Sequence, residues 1–160
     1  MEGQLFEEYA RRYKDTVYRV ALNYYANRQD AEDTLQEVFL RLYLTDKAFA
    51  GEEHVRHWLI RVTLNTCKNT LRSRSRRRQV PLAELAAEIP FDQREQSELF
   101  LAVMALPEKY RTVLYLFYYE DYSVREIAAA LGLRESAVTT RLARARAALK
   151  QQLTEVENNG

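Results

Sequence analysis

Apolar residues recur every three or four positions along most of this 160-residue chain, which is the spacing of one face of an α-helix. The first such pattern predicts a helix from about Gln4 to Ala26, followed by a short turn at Asn27–Gln29. Its apolar positions are Leu5, Tyr9, Tyr13, Val17, Val20, Ala21 and Tyr24. Four glycines and three prolines leave little of the chain for the turns of a β-sheet, so we expect an all-helical protein.

A second predicted helix opens at Asp30, which we expect to be its N-cap, because a carboxylate there accepts hydrogen bonds from the first free backbone N–H groups. Its expected buried face consists of Ala31, Leu35, Val38, Phe39 and Leu42. The opposite side carries an acidic ridge formed by Asp33, Gln36 and Glu37. Simple solvation explains such a ridge and is favoured by these residues alone; a docking surface for another protein is the alternative.

Residues 44–53 are expected to form a loop, and a third helix follows with Val55, Trp58, Leu59, Val62, Cys67 and Leu71 as its apolar positions. A second stripe along the same helix is basic and polar, and comprises Arg61, Asn65, Lys68, Arg72 and Arg76. Cations bind phosphates and amide side chains hydrogen-bond to base edges, so this stripe is typical of a helix that faces nucleic acid.

The net charge of +1 conceals a strong segregation of charge along the sequence. Residues 61–78 contain seven bases and no acid, whereas residues 79–95 contain four acids and one base. Pro81 and Pro90 restrict helix formation in the acidic stretch. We therefore expect two small domains, 1–78 and 96–155, joined by a linker at 79–95, with a short tail at 156–160.

The C-terminal part begins with a predicted helix containing Leu99, Val103 and Leu106, which Pro107 ends, and a further helix contains Tyr110, Val113, Leu114 and Phe117. Aromatic residues follow closely between Tyr115 and Tyr122. They could stack on nucleic-acid bases, but their helical spacing favours packing in the core and at its rim.

A helix-turn-helix pattern occupies residues 123–149. Ser123 and Glu126 have the spacing of a capping box, and Gly132 suits the end of the first helix because glycine adopts the left-handed conformation without strain. The second helix places Val138, Leu142, Ala145 and Leu149 on one face. Its opposite face offers hydroxyl and guanidinium groups for DNA, at Ser136, Thr139, Thr140, Ala143 and Arg144.

Several classes of protein are excluded or disfavoured. No apolar stretch is long enough to span a bilayer, and the N-terminus lacks the order of a secretion signal, so we expect a cytoplasmic protein.

Cys67, the single cysteine, is expected to be structural. Glu53, His54 and His57 could share a metal ion, but no further histidine or cysteine completes a site, so we expect neither a metal, a cofactor nor an enzymatic activity.

Three segments in the same order resemble the extracytoplasmic-function sigma factors of bacterial RNA polymerase. They are DAEDTLQEVFLRLYL at 30–44, HVRHWLIRVTLNTCKNTLRSRSRRR at 54–78, and the segment 106–149, which begins LPEKYR and includes the helix-turn-helix. The resemblance covers nearly the whole chain apart from the linker and the last ten residues.

The resemblance implies a role for each candidate surface. It makes Asp33, Gln36 and Glu37 contacts for the clamp helices of the largest polymerase subunit, which reverses the solvation reading, and it implies a further contact with the polymerase flap. It assigns the loop 46–53 to the capture of a flipped base of the minus-ten promoter element. The helix after this loop would contact that element through Arg61, Asn65, Lys68 and Arg72.

The helix-turn-helix of this family reads the minus-thirty-five element, which assigns Ser136, Thr139, Thr140, Ala143 and Arg144 to promoter DNA. Two residues depart from the family pattern. Many relatives have arginine in place of Thr139, so a bidentate contact to guanine is lost. Arg134 stands where a capping residue is usual, which weakens the helix start by about 1 kcal/mol.

Partners and alternatives follow from the same resemblance. Family members are commonly held inactive by an anti-sigma factor, often at the membrane, so such a partner is expected here. A stand-alone helix-turn-helix regulator is the alternative that shares the C-terminal motif. It explains the acidic ridge, the loop and the basic stripe of the first ninety residues less well.

Overall fold

A computed structural model describes residues 1–73 and 94–159. Within these residues the chain forms seven helices and no strand, which confirms the all-α prediction. The helices are α1 (Gly3–Tyr25), α2 (Arg28–Leu44), α3 (Glu52–Ser73), α4 (Arg94–Met104), α5 (Glu108–Tyr118), α6 (Val124–Leu131) and α7 (Glu135–Asn159). Most of the predicted linker, residues 79–93, lies outside the described residues, and its last two residues, Arg94 and Glu95, belong to α4.

The chain separates into two compact units, residues 1–78 and 79–160. In the first unit α1, α2 and α3 all pack against one another. Their shared core contains Tyr13, Val17, Val38, Leu42, Val55 and Leu59, which are buried and spaced at helical intervals along the sequence. Leu35 and Phe39, which were expected to be buried, are only partly so and pack at the edge of this core.

The start of α2 differs from the sequence prediction. Asn27 is the N-cap, because its side-chain oxygen accepts a hydrogen bond of 2.9 Å from the backbone N–H of Asp30, and the helix begins at Arg28. The prediction that Asp30 caps this helix was therefore wrong. Asp30 instead lies buried in the first turn, where the helix dipole still favours a carboxylate.

In the second unit α7 packs against α4, α5 and α6. Buried apolar residues from three of these helices include Val113 and Leu116 of α5, Ile127 of α6 and Val138 of α7. Arg111 is also buried, and its guanidinium donates a hydrogen bond of 2.6 Å to the carbonyl oxygen of Leu106. This cation thus satisfies a backbone acceptor at the connection between α4 and α5.

None of the helices in the described ranges combines the length and the apolar character that crossing a membrane requires.

Candidate nucleic-acid and protein interfaces

The helix-turn-helix forms through the local contacts that its sequence predicts. Ser123 Oγ accepts from the backbone N–H of Glu126 at 3.1 Å, and the Glu126 carboxylate accepts from the backbone N–H of Ser123 at 2.9 Å, so the capping box is complete. Gly132 ends α6 with φ of 66°, in the left-handed region that glycine adopts without strain. The turn ends at Arg134, whose carbonyl oxygen accepts from Val138 N–H in the first turn of α7.

The exposed face of α7 contains all five residues assigned to DNA from the sequence. Val138, Leu142 and Ala145 are buried and fix the rotation of the helix. Every member of the opposite set is exposed, namely Ser136, Thr139, Thr140, Ala143 and Arg144. The hydroxyl of Thr139 donates to the carbonyl oxygen of Glu135 within the helix. This face therefore presents hydroxyl, methyl and guanidinium groups on one rigid element, which can enter a DNA groove.

Two residues beside this face were missed by the sequence analysis. Lys109 and Tyr110, near the start of α5, line a cleft together with Ser136, Thr140 and Arg144 of α7. The two groups of residues are more than twenty-five positions apart in the sequence. No local pattern connects them, and only the packing of α5 against α7 brings them together.

The acidic ridge on α2 is exposed as predicted. Asp33 accepts a hydrogen bond of 2.9 Å from the side-chain amide of Gln29, and Glu37 forms an ion pair of 3.1 Å with Arg41. Both contacts link residues one turn apart on the surface of the same helix. Such exposed pairs orient the carboxylates but contribute little to the stability of the fold. Gln36 is exposed as well and lies at the edge of a groove.

That groove runs between α1 and α2, and its apolar character was not predicted. Its volume is about 740 Å³, and its apolar lining includes Phe6 of α1 and Leu35, Phe39, Leu40 and Tyr43 of α2. Leu40 is 58% exposed and Tyr43 is 49% exposed. Large apolar side chains left open to solvent beside an acidic ridge are typical of a surface that binds another protein. The sequence analysis assigned Leu35 and Phe39 to the buried face of α2 and gave no role to Leu40 or Tyr43, so it did not reveal the groove.

The basic stripe on α3 is exposed where the structure describes its side chains. Arg61, Asn65 and Lys68 are exposed, whereas Leu64 and Cys67 on the other side of the helix are buried. Arg72 belongs to the last turn of the same helix. The fifth residue of the stripe, Arg76, lies outside the described residues.

The loop between α2 and α3, residues 45–51, is anchored by Phe49. The ring centroid of Phe49 lies 5.4 Å from that of Trp58, 5.3 Å from that of His54 and 6.1 Å from that of Tyr9. The next residue, Ala50, donates its backbone N–H to Nδ1 of His54 at 2.9 Å. The other end of the loop is open, with Asp46, Lys47 and Ala48 exposed. The contacts of Phe49 and Ala50 therefore hold one end of the loop in place, while the residues at its other end stay exposed.

The same contacts bear on the alternative of a metal site. His54 uses Nδ1 to accept the loop hydrogen bond, and the carboxylate of Glu53 lies 3.3 Å from both Arg56 and His57. In the part of the chain that the structure describes, no three histidine, cysteine or acidic residues are grouped in a way that could hold a metal ion.

Tyr25 and Cys67 lie in the interior of the first unit. The hydroxyl of Tyr25 is 2.9 Å from that of Thr34, and the thiol of Cys67 is buried. Burial raises the pKa of Tyr25 well above its ordinary value, and the neighbouring Cys67 raises it further. A neutral phenol and a buried thiol at this position are consistent with packing rather than with chemistry.

Comparison with protein families gives two matches in chain order. Residues 9–77 match the family described as Sigma-70 region 2, and residues 96–149 match Sigma-70, region 4. The first match contains the acidic ridge, the loop and the basic stripe, and the second contains α7 as far as Leu149. The stand-alone helix-turn-helix regulator that the sequence left open does not account for the first match.

Individual relatives span the chain almost completely. The chain is 30% identical over 166 residues to the ECF RNA polymerase sigma factor SigW of Bacillus subtilis, a match that covers 90% of this chain and 86% of the relative. It is 32% identical to the ECF RNA polymerase sigma factor SigE of Mycolicibacterium smegmatis, with 92% of this chain covered but only 61% of that longer relative.

Two solved structures have a similar fold. The sigma factor RpoE of Bartonella quintana, solved in complex with the anti-sigma factor NepR, matches with a TM-score of 0.74 at 16% identity, covering 95% of this chain and 98% of that one. CnrH in complex with the cytosolic domain of CnrY matches with a TM-score of 0.65 at 26% identity, covering 95% and 89%. Family, relatives and fold agree, and the chain belongs to the ECF sigma factors of RNA polymerase.

Proposed function

We propose that this sigma factor recruits core RNA polymerase through α2 and reads two promoter elements separately, one with each unit. The exposed polar face of α7, fixed by its buried opposite face, is the observation that carries this proposal. A helix with this arrangement supplies hydrogen-bonding groups to base edges and a cation to the backbone. The resemblance to the family assigns this reader to the minus-thirty-five element.

The polymerase contact is proposed for Asp33, Gln36 and Glu37 on α2. Their exposure and the neighbouring groove support this role, because a protein interface combines an apolar centre with a polar rim. The acidic ridge would select a basic or amide-bearing surface on the clamp helices, and Leu40 with Tyr43 would supply the area removed from water. The flap of the polymerase is the proposed second contact, through the C-terminal unit.

The minus-ten element is proposed to bind along α3 and the preceding loop. Arg61, Lys68 and Arg72 would bind phosphates, and the amide of Asn65 would reach a base edge. Single-stranded DNA can be held by charge and stacking alone, so no bond need be made or broken by this chain. The polymerase performs the catalysis, and the sigma factor acts as a non-enzymatic specificity subunit without a cofactor.

The domain limits of this proposal are 1–78 for the polymerase and minus-ten functions and 96–155 for the minus-thirty-five function. The linker at 79–95 would join them along the cleft of the polymerase. Its four acids would repel nucleic acid by like charge. Residues 156–160, the short tail of this division, begin inside α7, which continues to Asn159.

Control by an anti-sigma factor in the cytoplasm, or held at the membrane, is also part of the proposal. Two structural neighbours, RpoE and CnrH, were solved with NepR and CnrY, the former an anti-sigma factor. The exposed apolar groove of the first unit offers such a partner the surface that the polymerase would otherwise occupy. Competition for that surface would keep the free sigma factor inactive.

Reconstituted transcription tests the function directly. The purified full-length chain is mixed with core polymerase and a library of duplexes that carry randomised promoter elements, and the transcribed sequences are identified. We expect transcripts that start from a common two-element pattern which core polymerase alone ignores. Tight binding of the chain alone to duplex DNA, together with no effect on core polymerase, would contradict the proposal and favour the stand-alone regulator.

A further inference from the structure

A cleft of about 330 Å³ lies between the start of α5 and the exposed face of α7. The α5 side contributes Lys109 and Tyr110. The α7 side contributes the polar residues Ser136, Thr140, Arg141 and Arg144. Three of these six side chains are cations and no carboxylate lines the cleft, so its electrostatic potential is positive.

The three cations are not neutralised by neighbouring acids. Among the described residues, the ion pairs connect other side chains and none of them involves Lys109, Arg141 or Arg144. The three cations repel one another, and a bound anion offsets this repulsion because it attracts each of them. The cleft therefore favours an anionic ligand over a neutral one.

Lys109 is held at the edge of the cleft by its neighbour. Its Nζ lies 5.3 Å from the centroid of the Tyr110 ring, a cation–π contact, and this ring is partly buried. The negative face of the aromatic ring attracts the ammonium group electrostatically. The ammonium group is thus kept near the cleft, while its donors stay accessible because the side chain is exposed.

We propose that the cleft binds a backbone phosphate of the duplex that α7 reads, and that Lys109 is the positioning residue that fixes α7 on that duplex. The inference rests on the proposed reading of promoter DNA by α7. Ser136, Thr140 and Arg144 line the cleft and also belong to the face proposed to contact DNA, so an anion bound here lies beside the DNA. A phosphate oxygen accepts charge-assisted hydrogen bonds from ammonium and guanidinium groups at once.

The dependence of promoter affinity on salt tests this assignment. Affinities of holoenzyme containing native or Lys109→Ala sigma factor are measured on a selected promoter over a series of salt concentrations. Loss of one phosphate contact makes the slope of log affinity against log salt less steep by about 0.9. The loss of affinity is the same on promoters with altered minus-thirty-five bases, because the contact reads no base. Lys109→Arg keeps the native slope.

Lys150→Ala is the matched control, since it removes the same charge from an exposed lysine of α7 that does not line the cleft. It is expected to keep the native slope. Equal slopes for Lys109→Ala and the native protein overturn the inference, and so do equal changes in Lys109→Ala and Lys150→Ala, which reflect net charge alone.

Further outcomes distinguish a failure of the Lys109 inference from a failure of the proposed function. Calorimetric binding of inorganic phosphate by the full chain, lost in Lys109→Ala while the DNA salt slope is unchanged, would make the cleft a site for free anions and overturn the inference. A native protein that selects no promoter with core polymerase contradicts the proposed function and the inference together. A working native protein with an unchanged Lys109→Ala slope contradicts the inference alone.

Discussion

The hydroxyl of Thr139 donates a hydrogen bond to the carbonyl oxygen of Glu135, one helical turn earlier, at 3.1 Å. Its proton is therefore already used within the helix, and the side chain offers DNA only a methyl group and an acceptor oxygen. A methyl group contacts thymine well, but neither group can make the paired donor contact to guanine that an arginine makes. Thr139 is thus the residue at which this chain's upstream preference is expected to depart from that of relatives with arginine.

Replacing Thr139 with arginine should therefore change the preferred sequence. We expect Thr139→Arg to increase the preference for guanine at one position of the upstream element by about 1–3 kcal/mol, the range for one bidentate contact. Thr139→Val keeps the methyl group, replaces the hydroxyl with a second methyl, and should leave the native preference largely in place. Selection of randomised upstream elements by each holoenzyme measures both, and an unchanged preference in Thr139→Arg would remove this residue from the reading face.

The polymerase contact can be tested by charge reversal on α2. Glu37→Arg replaces a carboxylate of the acidic ridge with a cation, and we expect affinity for core polymerase to fall at least tenfold, which is about 1.4 kcal/mol. The fold should be retained, because the Glu37–Arg41 pair is about half exposed and contributes little to stability. Native gel or fluorescence titration with core polymerase provides the measurement.

Glu8→Arg on α1 is the control for that substitution. Glu8 forms an equivalent ion pair with Arg12, one turn away at 3.3 Å, but it does not line the groove between α1 and α2. We expect it to bind core polymerase as the native protein does. Similar losses in both variants would indicate a general effect of charge rather than a contact at the acidic ridge.

A better N-cap at position 134 should stabilise the start of α7. Arg134 occupies the capping position, where its carbonyl oxygen accepts from Val138, but its side chain is a poor N-cap. Arg134→Ser should raise the free energy of unfolding of the C-terminal unit by about 1 kcal/mol. Ser123→Ala, which removes an acceptor from the capping box of α6, should lower it by a similar amount. Hydrogen exchange in α6 and α7 measures both, and a destabilised Arg134→Ser protein would show that arginine has a structural contact here.

Stability at alkaline pH should depend on Tyr25. Burial, with a further contribution from Cys67, raises the pKa of this phenol in the folded protein, whereas in the unfolded chain it titrates near its ordinary value of about 10. Its contribution to stability is complete below that pH. Above it, the unfolded chain releases a proton that the folded chain retains, so the free energy of unfolding falls by up to about 1.4 kcal/mol per pH unit.

Tyr25→Phe isolates this contribution, since it removes the titrating group and keeps the ring. Denaturant unfolding of both proteins at neutral pH and above pH 10 should show a shallower fall for the variant. The variant should also lose about 1 kcal/mol at neutral pH, because Thr34 loses its hydrogen-bond partner. Identical pH profiles for the two proteins would contradict the raised pKa.

The helices and the reading face could be predicted because their signals are local. Ser123 and Glu126 lie three residues apart, and Gly132 directly follows the last apolar residue of α6, Leu131. Sequence spacing alone therefore predicts the cap, the turn and the rotation of α7. The start of α2 was misplaced for an equally local reason. Asn27 and Asp30 are both good caps, and only the geometry shows which side chain accepts from which N–H.

Surfaces that depend on packing could not be predicted. Leu40 and Tyr43 lie outside the apolar face predicted for α2, and they stay 58% and 49% exposed although the Tyr43 ring contacts Phe6 of α1. Lys109 and Arg144 belong to different helical patterns, and their common cleft exists only because α5 packs on α7. Periodicity tells which side of a helix is apolar and not how far its neighbours extend over it.

Because the loop is anchored at Phe49, its exposed residues can change during evolution without disturbing the fold. Phe49 and Ala50 attach one end of the loop to Trp58 and His54, whereas Asp46, Lys47 and Ala48 are exposed. Substitutions at such exposed positions usually change stability by less than about 0.5 kcal/mol. The side chains at these three positions can therefore differ between relatives, or be exchanged between them as one short segment. The three-helix fold that carries the loop stays the same.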